Sequence, residues 1–388
     1  MDLNKDMVIG VIGSGAMGAG IAQVAATAGH KVVVYDNNTA ALNKAKKSLS
    51  ATLQKLQEKG KIASAEEVLQ RFTFTDKPDA FKDCQLIIEA IVEKLEVKKA
   101  VFAEIENVVT DNCILASNTS SLSITSIAAA CRIPSRVLGL HFFNPAPLMA
   151  LVEIIPAIQT NINLISLAKT LMVNWGKTPV IARDTPGFIV NRVARPFYGE
   201  AIRIYEEGIA DIATIDWAMT EIGGFRMGPF TLMDYIGHDV NYVVTDTVFQ
   251  SFFYDPRYKP SFSQKRLLEA GWLGRKSGKG FYNYNENTEI PQPIKDIVLG
   301  TQIFERILAM LVNEAADALY LNVATANDLE VAMTKGVNYP KGLLQWCDDW
   351  GADKCLEKLD NLYHDYHEDR YRASKLLRTK VAENKKFI

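Results

Sequence analysis

The sequence has little that would cross-link the chain or anchor it. Its five cysteines are odd in number and form no Cys-x-x-Cys pair, which disfavours a disulfide framework and a zinc site. No apolar run approaches the roughly 18 residues of a membrane span, and the first residues lack the pattern of a secretory signal. A formal net charge of −2 gives no field that would attract nucleic acid. We expect a cytoplasmic protein with no metal site and no nucleic-acid or membrane partner.

The composition is typical of a folded chain with more than one domain. Of the 388 residues, 48% are hydrophobic and 23% are charged, which is enough apolar material for several cores. A chain of this length suggests two or three domains.

The N-terminal part carries a nucleotide-binding pattern. Residues 7–12 form an apolar run typical of a buried strand, and the segment Gly-Ser-Gly-Ala-Met-Gly follows at 13–18. A helical pattern comes next, and a second strand at 31–35 ends at Asp36. This strand–turn–helix–strand unit predicts a dinucleotide-binding fold, the alternative being a tight turn that binds nothing.

Each residue type in this segment has a physical reason to be there. Gly13 permits the tight turn, Gly15 lets the backbone approach a pyrophosphate, and Gly18 lets the helix pack closely on the strand. Met17 lies inside the same segment and counts with the predicted cofactor contacts. Asp36 would accept a hydrogen bond from a ribose hydroxyl and repel an additional phosphate, so NAD is expected rather than NADP.

Further strands alternate with helical patterns along the first half of the chain. Apolar segments at 84–90, 113–116 and 137–140 predict an α/β, Rossmann-type doubly wound parallel sheet. In such sheets ligands bind beyond the carboxyl ends of the strands. Three polar features follow predicted strands there: Glu93, the Ser/Thr/Asn cluster at 117–121, and His141.

His141 and Glu153 have the chemistry needed to oxidise an alcohol. A histidine can take the hydroxyl proton, and a carboxylate can hold the ring in one tautomer and stabilise its charged form. The alternatives are a core histidine beside Phe142 and Phe143 and a surface acid at a strand end. The pair therefore predicts a reaction class, oxidation of a hydroxyl to a carbonyl.

A lysine-rich helical stretch interrupts the alternation of strands and helices. It is either a solvated helix face or an arm that binds phosphate, since lysine binds phosphate as a mobile point charge. Its lysines are Lys44, Lys46, Lys47, Lys55, Lys59 and Lys61.

Taken in order, six motifs resemble those of the L-3-hydroxyacyl-CoA dehydrogenases. The resemblance runs from about Val8 to Tyr284 and implies NAD-dependent oxidation of (S)-3-hydroxyacyl-CoA to 3-ketoacyl-CoA, as in fatty-acid β-oxidation. The motifs are the glycine segment, Glu-Ala-Ile-Val-Glu at 89–93, Ser-Asn-Thr-Ser-Ser at 117–121, His-Phe-Phe-Asn-Pro at 141–145, Val-Glu-Ile-Ile at 152–155 and Asp-Thr-Pro-Gly-Phe-Ile-Val-Asn-Arg at 184–192.

The resemblance also implies roles for single residues. His141 would be the general base and Glu153 its orienting partner, while Ser120 and Asn191 would bind the reacting oxygen or the thioester. Residues implied to contact NAD are Asp36, Glu93, Lys98, Asn144 and Lys276. The lysine-rich arm, about 40–70, would contact CoA through Lys59, with Ser120 also near the substrate and Thr52 standing where the family has serine.

The second half reads as all-α and contains a repeat. An offset of 114 positions aligns Glu200-Ala201 with Glu314-Ala315 and Ala-Met-Thr at 218–220 with the same triplet at 332–334. At this offset Glu305 replaces Asn191, so the second copy has lost that site residue. We predict a structural role for this copy, and either a homodimer or a monomer that pairs its own two copies. The predicted domains are 1–184 (nucleotide binding), 185–284 (first copy), 285–298 (linker) and 299–388 (second copy).

Other functions stay open on the residues alone. A β-hydroxyacid or sugar-acid dehydrogenase would share the fold but has no need of a CoA arm. A crystallin-like structural protein or a dinucleotide sensor would have no use for the four polar residues His141, Glu153, Asn191 and Ser120.

Overall fold

The computed structural model describes residues 6–286 and 288–388. Two compact units make up the chain, Met1–Thr185 and Pro186–Ile388. Within the described ranges, no helix has the length and apolar character that crossing a membrane requires.

The first unit is built on one eight-stranded sheet, which confirms the predicted Rossmann-type fold. The strand order is β3-β2-β1-β4-β5-β6-β7-β8. The strands are β1 (Val8–Ile12), β2 (Lys31–Tyr35), β3 (Phe72–Thr75), β4 (Leu86–Glu89), β5 (Ile114–Ser117), β6 (Val137–Phe142), β7 (Leu151–Pro156) and β8 (Thr178–Ile181).

Six α-helices accompany this sheet among the residues that the structure describes. They are α1 (Ala16–Thr27), α2 (Thr39–Glu58), α3 (Ala65–Leu69), α4 (Leu95–Ile105), α5 (Ile124–Ala128) and α6 (Ile162–Asn174). Alternate strand residues such as Ile9 and Val11 share one buried cluster with Ile21 of α1 and Leu171 of α6. Such alternation is what a sheet with two covered faces requires.

The sheet departs from a fully parallel arrangement at one pair of strands. β6 and β7 are antiparallel, whereas the other neighbouring strands are parallel. The connection between Phe142 and Leu151 is too short for the crossover that a parallel pair needs, so the chain turns back along the same edge. This reversal brings His141 opposite Glu153 in the strand register.

The regular secondary structure in the described residues of the second unit is helical, with isolated β-bridges joining Lys279 to Gly274 and Asn283. Its α-helices are α7 (Val190–Val193), α8 (Arg195–Glu206), α9 (Ile212–Trp217), α10 (Pro229–Ile236), α11 (His238–Ser251), α12 (Phe262–Glu269), α13 (Ile297–Tyr320), α14 (Ala326–Gly336), α15 (Leu343–Trp350), α16 (Ala352–Tyr366) and α17 (Lys375–Ala382). A π-helical turn, Ala218–Ile222, extends α9.

The repeat detected in the sequence is visible in the helix boundaries. An offset of 114 positions carries α10 onto α15, and carries the first residues of α9 and α11 onto those of α14 and α16. Asp216 accepts hydrogen bonds from the N–H groups of Phe230 and Thr231 at 2.8 and 2.9 Å. Glu330, its counterpart, accepts from the equivalent N–H groups of α15. The two copies therefore share their local capping as well as their helices.

Candidate active site

The first unit holds a buried histidine–carboxylate pair at the carboxyl end of β6. The Nδ1–H of His141 donates to Glu153 Oε2 at 2.6 Å, and neither residue is more than 6% exposed. The ring of Phe143 lies 4.4 Å from the His141 ring, centroid to centroid. A carboxylate on Nδ1 fixes the ring tautomer, which leaves Nε2 as the atom able to take a proton.

The glycine-rich turn has the geometry that a nucleotide site requires. Gly13 has a φ of 98°, and a side chain at Gly18 would collide with the carbonyl oxygen of Gly13. A Cβ at Gly15 would have no heavy atom within 4 Å, so open space lies beside the N-terminus of α1. That helix end has no side-chain cap, and its free N–H groups can receive a phosphate. Met17, the remaining predicted contact here, is partly exposed in the first turn.

Asp36 follows β2, where the sequence placed it. Its carboxylate accepts from the Ser14 N–H at 2.8 Å, the Ser14 hydroxyl at 2.7 Å and the Asn38 N–H at 2.9 Å. Burial opposes ionisation, but the hydrogen bonds from Asn38 and Ser14 outweigh it and lower the pKa of Asp36. A carboxylate stays charged beside the turn and could accept from a ribose hydroxyl.

A polar network ties β4 to the cluster at 117–121. Glu93 Oε1 accepts from the Thr119 hydroxyl at 2.6 Å and from the Ser120 N–H and hydroxyl at 2.8 and 3.2 Å. Burial disfavours the charged form, but Lys98 and these hydrogen bonds prevail and lower the pKa of Glu93. Glu93 thereby holds Ser120 in place. Asn118 fixes the neighbouring strand, since its Oδ1 accepts from the Phe142 N–H at 2.8 Å.

Lys98, predicted to contact NAD, is almost fully buried in the structure. It is 1% exposed, and its Nζ lies 2.5 Å from Glu89 Oε1 and 3.3 Å from Glu93 Oε2. Glu89 is fully buried and also accepts from the Ser117 hydroxyl at 2.6 Å. Sequence reasoning missed the part played by Glu89, although its position at a strand end in the motif was a usable signal.

A cleft of about 800 Å³ lies beside α1 and α2. Thr52 and Asn144, both predicted contacts, line it, and so does Lys61. Lys59 caps the end of α2 in an exposed position and does not line the cleft. Most of the other lining residues are apolar or small: Ala16, Ala19, Gly20, Val24, Leu49, Leu56, Ile62, Pro145, Pro147, Leu148 and Trp175.

Two predicted site residues belong to the second unit. Asn191 lies in α7 and is partly exposed. Lys276 forms an ion pair with Asp239, and its side chain is 45% exposed. Among the residues the structure describes, no group of three or more His, Cys, Asp or Glu side chains could hold a metal ion.

Known families match nearly the whole chain. The profile for the "3-hydroxyacyl-CoA dehydrogenase, NAD binding domain" covers residues 8–185. The profile for the "3-hydroxyacyl-CoA dehydrogenase, C-terminal domain" covers residues 187–284 and again 303–386.

Individual relatives are similar over large parts of their length. The 3-hydroxyadipyl-CoA dehydrogenase of Escherichia coli is 38% identical, with 96% of this chain and 97% of that protein covered. A probable 3-hydroxybutyryl-CoA dehydrogenase of Deinococcus radiodurans is 43% identical over 72% of this chain and 100% of its own. The solved structure of a 3-hydroxybutyryl-CoA dehydrogenase from Escherichia coli superposes with a TM-score of 0.93 at 36% identity, covering 98% of this chain and 99% of that one.

A sheet with a nucleotide fingerprint and a buried His–Glu pair defines a dinucleotide-dependent dehydrogenase. The profile and relative matches show which one: the chain belongs to the 3-hydroxyacyl-CoA dehydrogenase family. NAD is its cofactor, and its reaction is the oxidation of 3-hydroxyacyl-CoA, which confirms the prediction from the motifs. The sugar-acid dehydrogenase and crystallin-like alternatives are thereby set aside.

Proposed function

We propose that His141 is the base of this oxidation. Bound NAD supplies the hydride acceptor. As the hydride leaves the substrate carbon, Nε2 of His141 takes the hydroxyl proton, and Glu153 stabilises the imidazolium that forms. The observation that supports this assignment is the hydrogen bond of 2.6 Å between two buried side chains.

We propose that the Glu89–Lys98–Glu93 network positions Ser120 rather than contacting NAD through Lys98. The carboxylate of Glu93 holds both the backbone and the hydroxyl of Ser120. A fixed hydroxyl can donate to the developing charge on the reacting oxygen without reorganising. Asn191 would supply a second polar contact, and Lys276 would contact NAD, as the family resemblance implies.

We propose that the cleft beside α2 accommodates CoA. Its apolar lining suits the pantetheine chain, and Thr52 and Lys61 offer a hydroxyl and a cation at the α2 side. Lys59 and the other exposed lysines of α2 would attract the phosphates through solvent. Lys61 joins Lys59 as a candidate because it lines the cleft.

The oligomeric state and the location are also proposals. The duplicated helical half would let the chain pair its own two copies, as a monomer, with a homodimer as the alternative. A cytoplasmic location stays a prediction from composition.

The test measures NADH formation with 3-hydroxybutyryl-CoA and with free 3-hydroxybutyrate. The wild-type chain should oxidise only the thioester. His141→Gln should lower kcat by at least about a hundredfold, with little effect on NAD binding measured by fluorescence titration. Lys169→Gln, at an exposed position of α6, is the control and should leave kcat unchanged. Near-normal turnover by His141→Gln would remove this histidine from the mechanism.

A further inference from the structure

A cavity of about 640 Å³ with a basic lining lies in the second unit, at the N-terminus of α17. Four cationic side chains line it: Arg257, Arg372, Lys375 and Arg378. Asp317 also lines the cavity, but its carboxylate already pairs with Arg192 at 3.1 Å and with Arg257 at 3.0 Å. The cationic side chains of the lining therefore outnumber its carboxylates, which favours an anion as the occupant.

The four cations of the lining differ in how strongly carboxylates already hold them. Arg257 and Arg378 form ion pairs with carboxylates outside the cavity lining. Arg372 is 53% exposed and lies 3.7 Å from Asp255, near the limit of an ion pair. Lys375 begins α17 at an exposed position, and among the described residues no carboxylate lies within ion-pair distance of its ammonium group. Lys375 is therefore the cation most available to an anion in the cavity.

Ser374, at the start of α17, has a hydroxyl group that the protein does not use. It is the N-cap residue, yet its side chain accepts no hydrogen bond from the helix. Ser374 lines the cavity and is 4% exposed, and its hydroxyl has no hydrogen-bond partner among the described residues. A buried polar group without a partner is costly, and free N–H groups at a helix N-terminus attract anions. An anion in the cavity would satisfy both kinds of donor.

The corresponding helix of the first copy, α12, is capped by the protein itself. α12 and α17 have eight residues each and begin 113 positions apart (375 − 262), so Ser261 corresponds to Ser374. The Ser261 hydroxyl accepts from the Gln264 N–H at 3.2 Å. Glu206, the last residue of α8, accepts from the Ser263 hydroxyl at 2.7 Å and from the Ser263 N–H at 3.3 Å. In the first copy a hydroxyl and a carboxylate therefore occupy the helix N-terminus.

The second copy lacks this carboxylate. α8 ends at Glu206 and α13 ends 114 positions later at Tyr320 (320 − 206), and Tyr320 lines the cavity. Leu376 stands where the first copy has Ser263 (376 − 263 = 113). A phenol in place of an acid removes the protein's own negative charge from this helix N-terminus and leaves an open cavity there. The comparison indicates that the anion at α17 comes from solution.

We propose that this cavity binds a phosphate group, held by the Ser374 hydroxyl, the N–H groups at the start of α17 and the Lys375 ammonium. A phosphate group has several acceptor oxygens that point in different directions, which suits donors from a hydroxyl, a helix N-terminus and a cation. The source is either inorganic phosphate or a nucleotide, since Tyr320 in the lining is 44% exposed and offers an aromatic face to a base. None of these residues belongs to the proposed active site, so the inference stands apart from the proposed function.

The experiment titrates inorganic phosphate into the full chain by isothermal titration calorimetry, with NAD at saturation so that the nucleotide turn is occupied. Lys375→Glu should weaken phosphate binding by at least about tenfold, because a negative charge replaces the cation. Lys354→Glu, at an exposed position of α16, is the matched control for this charge reversal and should leave the affinity unchanged. Lys59→Glu, in the proposed CoA arm, should also leave it unchanged, which separates this site from that arm.

Two serine variants separate phosphate binding from helix capping. Ser374→Ala should weaken phosphate binding by at least about threefold, because it removes a donor to a charged group. In phosphate-free buffer it should leave the midpoint of urea unfolding unchanged, since the hydroxyl makes no hydrogen bond within the described residues. Ser261→Ala should do the opposite: it removes the cap of α12 and lowers the midpoint, with phosphate binding unchanged.

Adenosine monophosphate is the second probe, titrated under the same conditions. Binding at least about fivefold tighter than that of inorganic phosphate, with the difference lost in Tyr320→Leu, would support a nucleotide as the source. Equal affinities would support inorganic phosphate. The inference is overturned if the wild-type chain binds neither probe, or if Lys375→Glu and Ser374→Ala bind phosphate as the wild-type chain does. Oxidation of 3-hydroxybutyryl-CoA, measured separately, tests the proposed function and does not depend on this outcome.

Discussion

The two copies of the helical fold in the second unit share their packing residues but differ in their proposed site residues. Arg192 Nε lies 2.6 Å from Glu314, and Arg306 Nε lies 2.7 Å from Glu200. Each arginine thus reaches the glutamate of the other copy, which is the reciprocal pattern of a two-fold interface within one chain. The packing residues are duplicated and the proposed binding residues are not. We propose that the second copy provides a packing surface and that only the first copy carries residues of the candidate active site.

The largest effect should come from removing the second copy. α8 packs against α13, and α13 buries Ile307, Leu311 and Ala315 among many others. Truncation after Tyr284 would expose the matching apolar face of the first copy, so we expect aggregation or forced dimerisation. Sedimentation velocity measures this outcome. A soluble, monomeric and fully active fragment would break the comparison, because the second copy would then have no packing role.

The reciprocal ion pairs provide a matched test of the two-fold relation. Glu314→Ala and Glu200→Ala each remove a buried carboxylate, 1% and 2% exposed, from a buried arginine. Each arginine keeps one other carboxylate, Asp317 for Arg192 and Glu207 for Arg306. Each should lower the free energy of unfolding by about 1.5–3 kcal/mol, the contribution of a hydrogen bond to a charged group, measured by urea denaturation. Glu357→Ala, on the exposed side of α16, is the control and should change it by less than about 0.5 kcal/mol. A large loss in one variant and none in the other would show that the copies do not pack equivalently.

Asn191 and Glu305 occupy the same position in the two copies. Asn191→Ala should lower kcat/KM about a hundredfold by removing a donor to the reacting group, with stability unchanged. Glu305→Ala removes an ion pair with Lys358 at 2.9 Å, a partly exposed contact worth about 1 kcal/mol or less, and should leave the kinetics as they are. Equal kinetic losses would place both copies at the site and contradict the division of roles.

The smallest effect concerns pH and the capping carboxylates. Burial raises the pKa of both Asp216 and Glu330 despite their hydrogen bonds. The folded chain therefore binds these protons more tightly than the unfolded chain does. Because of this, each carboxyl lowers the free energy of unfolding as the pH rises from about 4, its usual pKa, to its raised pKa in the folded chain.

Asp216→Asn and Glu330→Gln should each flatten that fall, as measured by urea unfolding at a series of pH values. Glu357→Gln should leave the slope unchanged. A steeper fall in either capping variant would contradict the raised pKa of that carboxyl, and opposite responses of the two would end the parallel between the copies.

Much of the site could be predicted from the sequence because its signals are local. The turn at Gly13, the acid at Asp36 and the polar residues after each strand are encoded by short-range order and by the topology of parallel sheets. The position of Lys98 was harder to predict. It is buried because Glu89 and Glu93, from one motif at the end of β4, both lie next to its ammonium group, and this arrangement depends on how the helix that carries Lys98 packs on the sheet. Lys61 lines the cleft and Lys59 does not, because Lys59 is the C-cap of α2 and the chain turns towards the cleft after it.

Spacing and residue type in the sequence determined the fold class, the preference for NAD and the presence of a repeat. The resemblance of the motifs to a known family added the reaction. Only the tertiary structure decided which groups meet. His141 faces Glu153 because β6 and β7 run antiparallel, and a register shift of one residue would turn one of them away. Within the described residues no carboxylate pairs with Arg195, whereas Arg192, three positions earlier, pairs with two. The partners of a buried charge come from distant parts of the chain, and their approach is set by packing rather than by local sequence.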